Sequence, residues 1–199
     1  MLERKFDEML QVKTKGLREW RKQTDEYNRY EATPYAALEK LFRSYKLKPN
    51  DHVVDFGSGR GRVSFYIHHH FDVTVTGVEM NDLTFEESQI NKALYTRKNK
   101  HLKAPIHFEF GLAEHYEIKP EDNVFYFFNP FSVAIFKQVV ENILQSTKEH
   151  ERSVDIIFYY PLPEFKKFLK KETPFRLINK VKAYKQHGKH GKFLIYRLD

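Results

Sequence analysis

The 199-residue chain has no cysteine. That absence excludes a disulfide framework, a thiol nucleophile and any thiolate-ligated metal. No apolar run reaches the length of a membrane span, and the first residues are too charged and lack the apolar core of a secretory signal. A cytoplasmic protein with no membrane partner is therefore expected. Internal repeats and low-complexity linkers are also missing, so most of the chain is expected to form one domain, long enough to bury a sizeable core. Glycine is scarce, eight in all, yet three of the eight stand at alternate positions in one stretch. What is plentiful is charge. Charged residues make up 31% of the chain and hydrophobic ones 41%, with a formal net charge of +7. The excess leans towards an acidic partner such as nucleic acid, although a modest charge spread over a surface is ordinary.

The glycine stretch is His52-Val53-Val54-Asp55-Phe56-Gly57-Ser58-Gly59-Arg60-Gly61-Arg62. A short apolar run predicts a buried strand, and the apolar segment after the glycines predicts a helix. Strand, glycine turn and helix together put backbone N–H groups and a helix N-terminus beside a polar ligand. A dinucleotide loop reads G-x-G-x-x-G. Here the order is Asp-x-Gly-x-Gly-x-Gly, and a carboxylate before the first glycine suits an ammonium group better than a pyrophosphate. The stretch resembles the first motif of the class I S-adenosylmethionine-dependent methyltransferases, whose loop packs on the methionine part of the cofactor. The resemblance covers about residue 30 to the C-terminus. It implies S-adenosylmethionine as cofactor, with Asp55, Gly57, Ser58, Gly59 and Gly61 around the methionine moiety.

Other stretches carry the resemblance further. Val73 to Glu79 reads as a second strand rich in β-branched residues, ending in an acid 18 residues after Gly61. An acid at that tip can accept both ribose hydroxyls of an adenosine, and Met80 would flank the adenine. Ile106 to Phe110 predicts a third strand. The family often has Asp-Ala after it, the Asp bonding the adenine amino group. This chain has Leu112 there, which leaves the backbone around Ala113 or the Glu114 carboxylate to substitute. Asn123 to Phe128 reads as a fourth strand buried on both faces, followed by Asn129-Pro130-Phe131. Amino-group methyltransferases carry Asn/Asp-Pro-Pro-Phe/Tyr at this tip. The resemblance implies that Asn129 and a backbone carbonyl bond the target N–H groups while an aromatic ring stacks on the target. With one proline fewer, the tripeptide is similar to bacterial members of unassigned substrate. Asn129, Pro130 and Phe131 are the candidate catalytic residues, and the resemblance implies that Asn129 also faces the cofactor's methyl.

Upstream, residues 1–30 carry apolar positions at Leu2, Phe6, Met9, Leu10, Leu17 and Trp20. The spacing predicts a helical extension with a break near Gly16, ahead of a methyltransferase domain over 31–199. Thr33 before Pro34 reads as a helix start, the hydroxyl capping free N–H groups and proline in the first turn. Tyr30-Glu31-Ala32-Thr33-Pro34 also resembles a Tyr-x-Pro-Thr-Pro-type segment of certain protein-lysine methyltransferases. There the segment lies over the cofactor, which makes Thr33 and Pro34 candidate contacts. His68-His69-His70 are not expected to bind metal, because adjacent helix residues point in different directions.

Further helices are expected over Val63–His70, Phe85–Lys98 and Val133–Leu144, with a short one over Phe165–Leu169. A fifth strand over Val154–Tyr160 and two closing strands, Phe175–Val181 and Lys192–Arg197, complete the pattern. Closing strands with no helix between them favour an antiparallel hairpin. The expected fold is α/β, a doubly wound, mostly parallel seven-stranded sheet ending in that hairpin. Lys182, Lys185, Lys189 and Lys192, with His187 and His190, read as a basic turn that could meet RNA. The expected function is methyl transfer to a nitrogen nucleophile of a protein, RNA or small amine. A non-catalytic cofactor-binding assembly module and a nicotinamide-dependent oxidoreductase are the alternatives.

Overall fold

The computed structural model describes residues 2–16, 31–186 and 189–199. Seven strands form one sheet in the order β3-β2-β1-β4-β5-β7-β6. They are β1 (His52–Phe56), β2 (Thr74–Glu79), β3 (Ile106–Phe110), β4 (Asp122–Phe127), β5 (Val154–Tyr159), β6 (Arg176–Gln186) and β7 (Lys189–Leu198). Pairings from β3 through β5 are parallel, whereas β7 runs antiparallel to both β5 and β6. The helices are α1 (Leu2–Leu10), α2 (Tyr35–Ser44), α3 (Arg62–Phe71), α4 (Asp82–Lys98), α5 (Val133–Glu149) and α6 (Pro163–Glu172). Among the described residues, no helix is long and apolar enough to cross a membrane.

The two faces of the sheet are sorted by strand alternation. Val53, Val75, Val124 and Tyr126 point into a core shared with Leu10, Leu38, Leu41, Phe65 and Tyr95. Their neighbours Val54, Phe56, Phe125 and Phe127 point into a second core with Phe136, Val140, Ile143 and Phe165. Helices on both faces explain why the central strands are apolar runs rather than alternating ones. One polar pair staples the sheet between β5 and β7. Arg197 donates Nε and an Nη to the buried Asp155 carboxylate, both at 2.8 Å, and Tyr45 Oη donates to the same group at 2.6 Å.

Three expectations change. The closing strands are longer than the periodicity suggested, because Lys182 pairs with Lys192, Lys185 with His190 and Gln186 with Lys189. Most of the basic turn is therefore paired strand. In the stretch 180–183, Val181 and Ala183 are buried while Lys180 and Lys182 alternate with them, a half-buried pattern that the lysine-rich composition obscured. His187 lies outside the described residues. Second, Thr33 does not cap α2. Pro34 is the N-cap and makes no side-chain cap bond. Third, the early helix stops at Leu10, ahead of Gly16; the positions of Leu17 and Trp20 lie outside the described residues. Leu10 and Val12 join the core.

Candidate functional site

β1 lies between β2 and β4, so the crossovers leaving β1 and β2 run away from the one that reaches β4. A crevice opens outside the C-terminal ends of strands at such a reversal. The glycine loop fills its floor. Gly57 and Ser58 donate backbone N–H groups to Val78 O at 2.9 and 3.1 Å, laying the loop against β2. Gly57 has φ 73°, and a Cβ there would come within 2.4 Å of the Pro130 Cβ. Any other residue would be strained and also blocked. Pro130 is thus where the β4 tip rests on the β1 tip.

Two carboxylates frame the loop. Asp55 is 2% exposed and accepts from Ser64 Oγ at 2.8 Å. Burial pushes its carboxyl up to about 7, opposed by that hydrogen bond and reinforced by the nearby Glu79 charge. Glu79, at the end of β2, accepts from Gly59 N and from Asn81 N, each at 2.7 Å. Burial raises its pKa, against the pull of those backbone donors. The acid read as a ribose acceptor is therefore also the brace of the loop. Each carboxylate oxygen retains capacity for a second donor.

Thr33, Asp55, Gly57, Ser58, Arg62, Tyr126 and Phe128 line one hollow at this point, together with Glu31, Ala32 and Val63. Thr33 Oγ1 shares a hydrogen bond of 2.8 Å with Tyr126 Oη on β4. The first-turn N–H of α2, on Tyr35, donates instead to the Glu3 carboxylate at 3.0 Å. Ser58 Oγ is buried with no hydrogen-bond partner among the described residues. Pro34 lines an adjoining groove with Glu3, Thr14, Lys15 and Arg62.

The tips of β4 and β5 are aromatic. Asn129, just after β4, has φ 44°, and Tyr160, just after β5, has φ 52°. Left-handed backbone costs a residue such as Tyr160 about 1–3 kcal/mol, whereas Asn tolerates it more readily; Gln11 and Asp72, away from this edge, share it. Phe128 lies 4.8 Å from the Tyr159 ring and 6.1 Å from the Tyr160 ring. Tyr160 N donates to Lys192 O at 3.1 Å, tying the closing hairpin to this tip. Phe131 corrects the expectation of a stacking ring. It is 1% exposed and packs edge-on to Phe127 at 6.0 Å, so it is a core residue. Met80 is half-buried beside Glu79. Ala113 and Glu114 begin a single 3₁₀ turn after β3. They sit near the same edge, since Gly111 N donates to Glu79 O at 3.0 Å, and Asn142 on α5 holds the turn by donating to Glu114 O at 2.9 Å.

Arg62, Tyr126 and Tyr160 were missed by the motif reading. Arg62 did carry a signal. A cation in the first turn of a helix opposes the helix dipole, and one placed directly after a glycine loop calls for an acidic partner elsewhere. The partners of Tyr126 and Tyr160 had no comparable sequence mark.

The strand order, the antiparallel β7 and the Asp-x-Gly-x-Gly-x-Gly turn at the β1 tip define a class I S-adenosylmethionine-dependent methyltransferase. The family model described as "Histone methylation protein DOT1" matches residues 6–157. The chain belongs to that family. A search of curated proteins returns no match. Solved structures share the fold at low identity. One is a tRNA (uracil-54, C5)-methyltransferase from Pyrococcus abyssi with S-adenosyl-L-homocysteine, at 17% identity and TM-score 0.59, covering 82% of this chain and 38% of its own. This chain thus spans well under half the length of that protein. A putative RNA methyltransferase from Pyrococcus horikoshii matches at 18% identity and TM-score 0.57, over 98% of this chain and 97% of its own. An RNA methyltransferase from Salinibacter ruber with S-adenosyl-L-homocysteine matches at 15% and 0.55, over 84% and 92%.

The residues present fit S-adenosylmethionine, the cofactor of the class. A bare backbone at Gly57, a buried carboxylate at Asp55 and a braced acid at Glu79 suit a ligand with an ammonium group and a ribose.

Proposed function

We propose that the protein transfers a methyl group to a nitrogen atom, with Asn129 holding that nitrogen and the glycine loop holding the cofactor. The reading rests on one observation, that Pro130 lies against Gly57. The contact brings the Asn129 backbone next to the loop assigned to the methionine moiety. S-adenosylmethionine supplies an intrinsically electrophilic methyl, so the chain's own task is to bind, orient and exclude water. Asp55 favours the ammonium group, and Glu79 accepts ribose hydroxyls while bracing Gly59. Thr33 and Tyr126 close the wall of the hollow. Asn129 fixes the acceptor nitrogen in line with the methyl, beside the rings of Phe128 and Tyr160. An amine arriving neutral needs no general base.

The acceptor we favour is an amine on a protein, because the family model that matches most of the chain is described as a histone methylation protein. RNA is the second reading, supported by the net charge of +7 and by the RNA methyltransferases among the proteins of similar fold. The deciding experiment incubates the protein with S-adenosylmethionine labelled in the methyl group and with separate protein and RNA fractions. Label in protein that survives ribonuclease supports the first reading, and label lost to ribonuclease supports the second. Cofactor binding with no transfer to either fraction would leave a binding module.

A further inference from the structure

We propose that residues 2–16 are a working part of the cofactor site, coupled to the glycine loop through a buried Asp7–Thr14–Arg62 relay. The proposal rests on the reading of that loop as the cofactor-binding loop. Arg62 is the first residue of α3, directly after Gly61, and it lines the hollow with Asp55, Gly57 and Ser58. It is 4% exposed. A buried guanidinium is tolerated only when paired and hydrogen-bonded, and here the helix dipole works against it as well.

Its compensation comes from the N-terminal side of the chain. Nε donates to Thr14 Oγ1 at 2.7 Å, and Nη1 donates to the Glu3 carboxylate and to Thr33 O, the latter at 3.3 Å. The guanidinium lies 4.5 Å from the centre of the Tyr35 ring. Thr14 is held in turn by Asp7, which accepts from Thr14 N at 2.9 Å and from Thr14 Oγ1 at 2.7 Å. Asp7 also accepts from Tyr35 Oη, at 2.7 Å.

A second set of bonds grips the loop on the other side of Gly61. Arg60 Nη1 donates to Lys15 O and Gly16 O. Asn91 accepts from Lys13 N at 2.8 Å and donates to Arg60 O at 3.0 Å. Arg60 and Arg62 therefore bind the same short segment from both flanks of the last loop glycine. A change in loop shape at Arg60 or Arg62 disturbs these bonds. A ligand that prefers this loop shape must then favour the docked segment, and the docked segment must favour the ligand to the same degree.

The test uses the full chain with S-adenosyl-L-homocysteine as probe, reading hydrogen exchange over residues 2–16 and the dissociation constant by calorimetry. In the wild type, ligand should slow exchange at 2–16 by at least about fivefold, the lower range of usual coupling. Asp7→Asn, close in shape, should speed exchange at 2–16 without ligand and weaken binding about tenfold. Exchange in β4 and β5 should stay slow, which separates the effect from general unfolding. Arg62→Lys keeps the charge but loses the planar fork, and should act in the same direction. A segment freed by Asp7→Asn while ligand affinity stays at the wild-type value would overturn the proposal. So would a wild type that binds ligand with no change in exchange at 2–16. A wild type that does not bind the ligand at all would remove the cofactor reading itself, and the coupling with it.

Discussion

The two halves of the sheet's C-terminal edge are built from different materials. After β1 the chain turns on glycines, and the acid at the tip of β2 is buried and held by backbone, Glu79 lying between Gly59 N and Asn81 N. At β4 and β5 the turns carry side chains in left-handed backbone, Asn129 and Tyr160, among the rings of Phe128 and Tyr159. A fixed ligand with a constant set of polar groups can be met by backbone and by immobile carboxylates. In the proposed reading, the side chains at the β4 and β5 tips are the groups that orient the acceptor. Pro130 over Gly57 is the seam between the halves.

The largest effect should come from closing that seam. Gly57→Ala places a methyl on the Pro130 ring at a φ that alanine resists. It should cost about 3 kcal/mol of stability by overpacking and strain, and it should abolish stabilisation by S-adenosyl-L-homocysteine. A thermal melt with and without ligand measures both. Retained ligand stabilisation in a folded Gly57→Ala protein would separate the halves and break the comparison.

Next comes Asn129→Ala, which in the proposed reading acts at the β4 tip alone. Transfer should fall about a hundredfold, equal to about 2.7 kcal/mol of transition-state stabilisation, while the dissociation constant of the ligand stays within about twofold. Unchanged turnover would reduce Asn129 to a strand end. Glu79→Ala should do the reverse, weakening ligand binding about tenfold by loosening Gly59 as well as losing an acceptor. Equilibrium binding by calorimetry reads it.

The pH profile sharpens the cofactor half. Asp55 titrates near 7 in the folded protein, above the ordinary carboxylate value. A raised folded pKa contributes stability that is fully present below the unfolded value near 4 and is lost as pH rises through about 7. Unliganded wild type should therefore lose stability over that window relative to Asp55→Asn. If the ionised carboxylate receives the cofactor ammonium, ligand affinity runs the other way, rising with pH up to about 7 and then levelling. Affinity that is flat with pH in the wild type would detach Asp55 from the ammonium.

The smallest effect concerns the hairpin. Replacing Lys182 and Lys192, a cross-strand pair, by Gln should lower the salt slope of RNA binding by about one for each phosphate that the lysines neutralise. Filter binding to mixed RNA at several salt concentrations measures it. No change at any salt would leave the protein amine as the better acceptor.

The legible parts of this protein were those encoded by neighbours in the chain. Asp55 through Gly61 could be read because a tight strand-to-helix turn in left-handed backbone demands glycine at fixed spacing, as at Gly57, Gly59 and Gly61. β4 and β5 could be read because strands buried on both faces must be apolar throughout. The paired lysine strands were hidden by composition, since only pairing made the alternation of Val181 and Ala183 meaningful. Thr33 before Pro34 matched a capping pattern, but the competition was settled from afar, by Glu3 reaching Tyr35 N and by Tyr126 engaging the Thr33 hydroxyl.

By itself, then, the sequence determined the succession of strands and helices and the class of cofactor, because each depends on local spacing and on continuous apolar runs. Tertiary structure alone decided that Phe131 turns into the core and that Glu79, read from the sequence as a ribose acceptor, also braces the glycine loop. It also decided that Arg62 joins Glu3, Thr14 and Thr33. A buried charge takes whichever partner the fold brings within reach, and the partners of Arg62 lie tens of residues away along the chain.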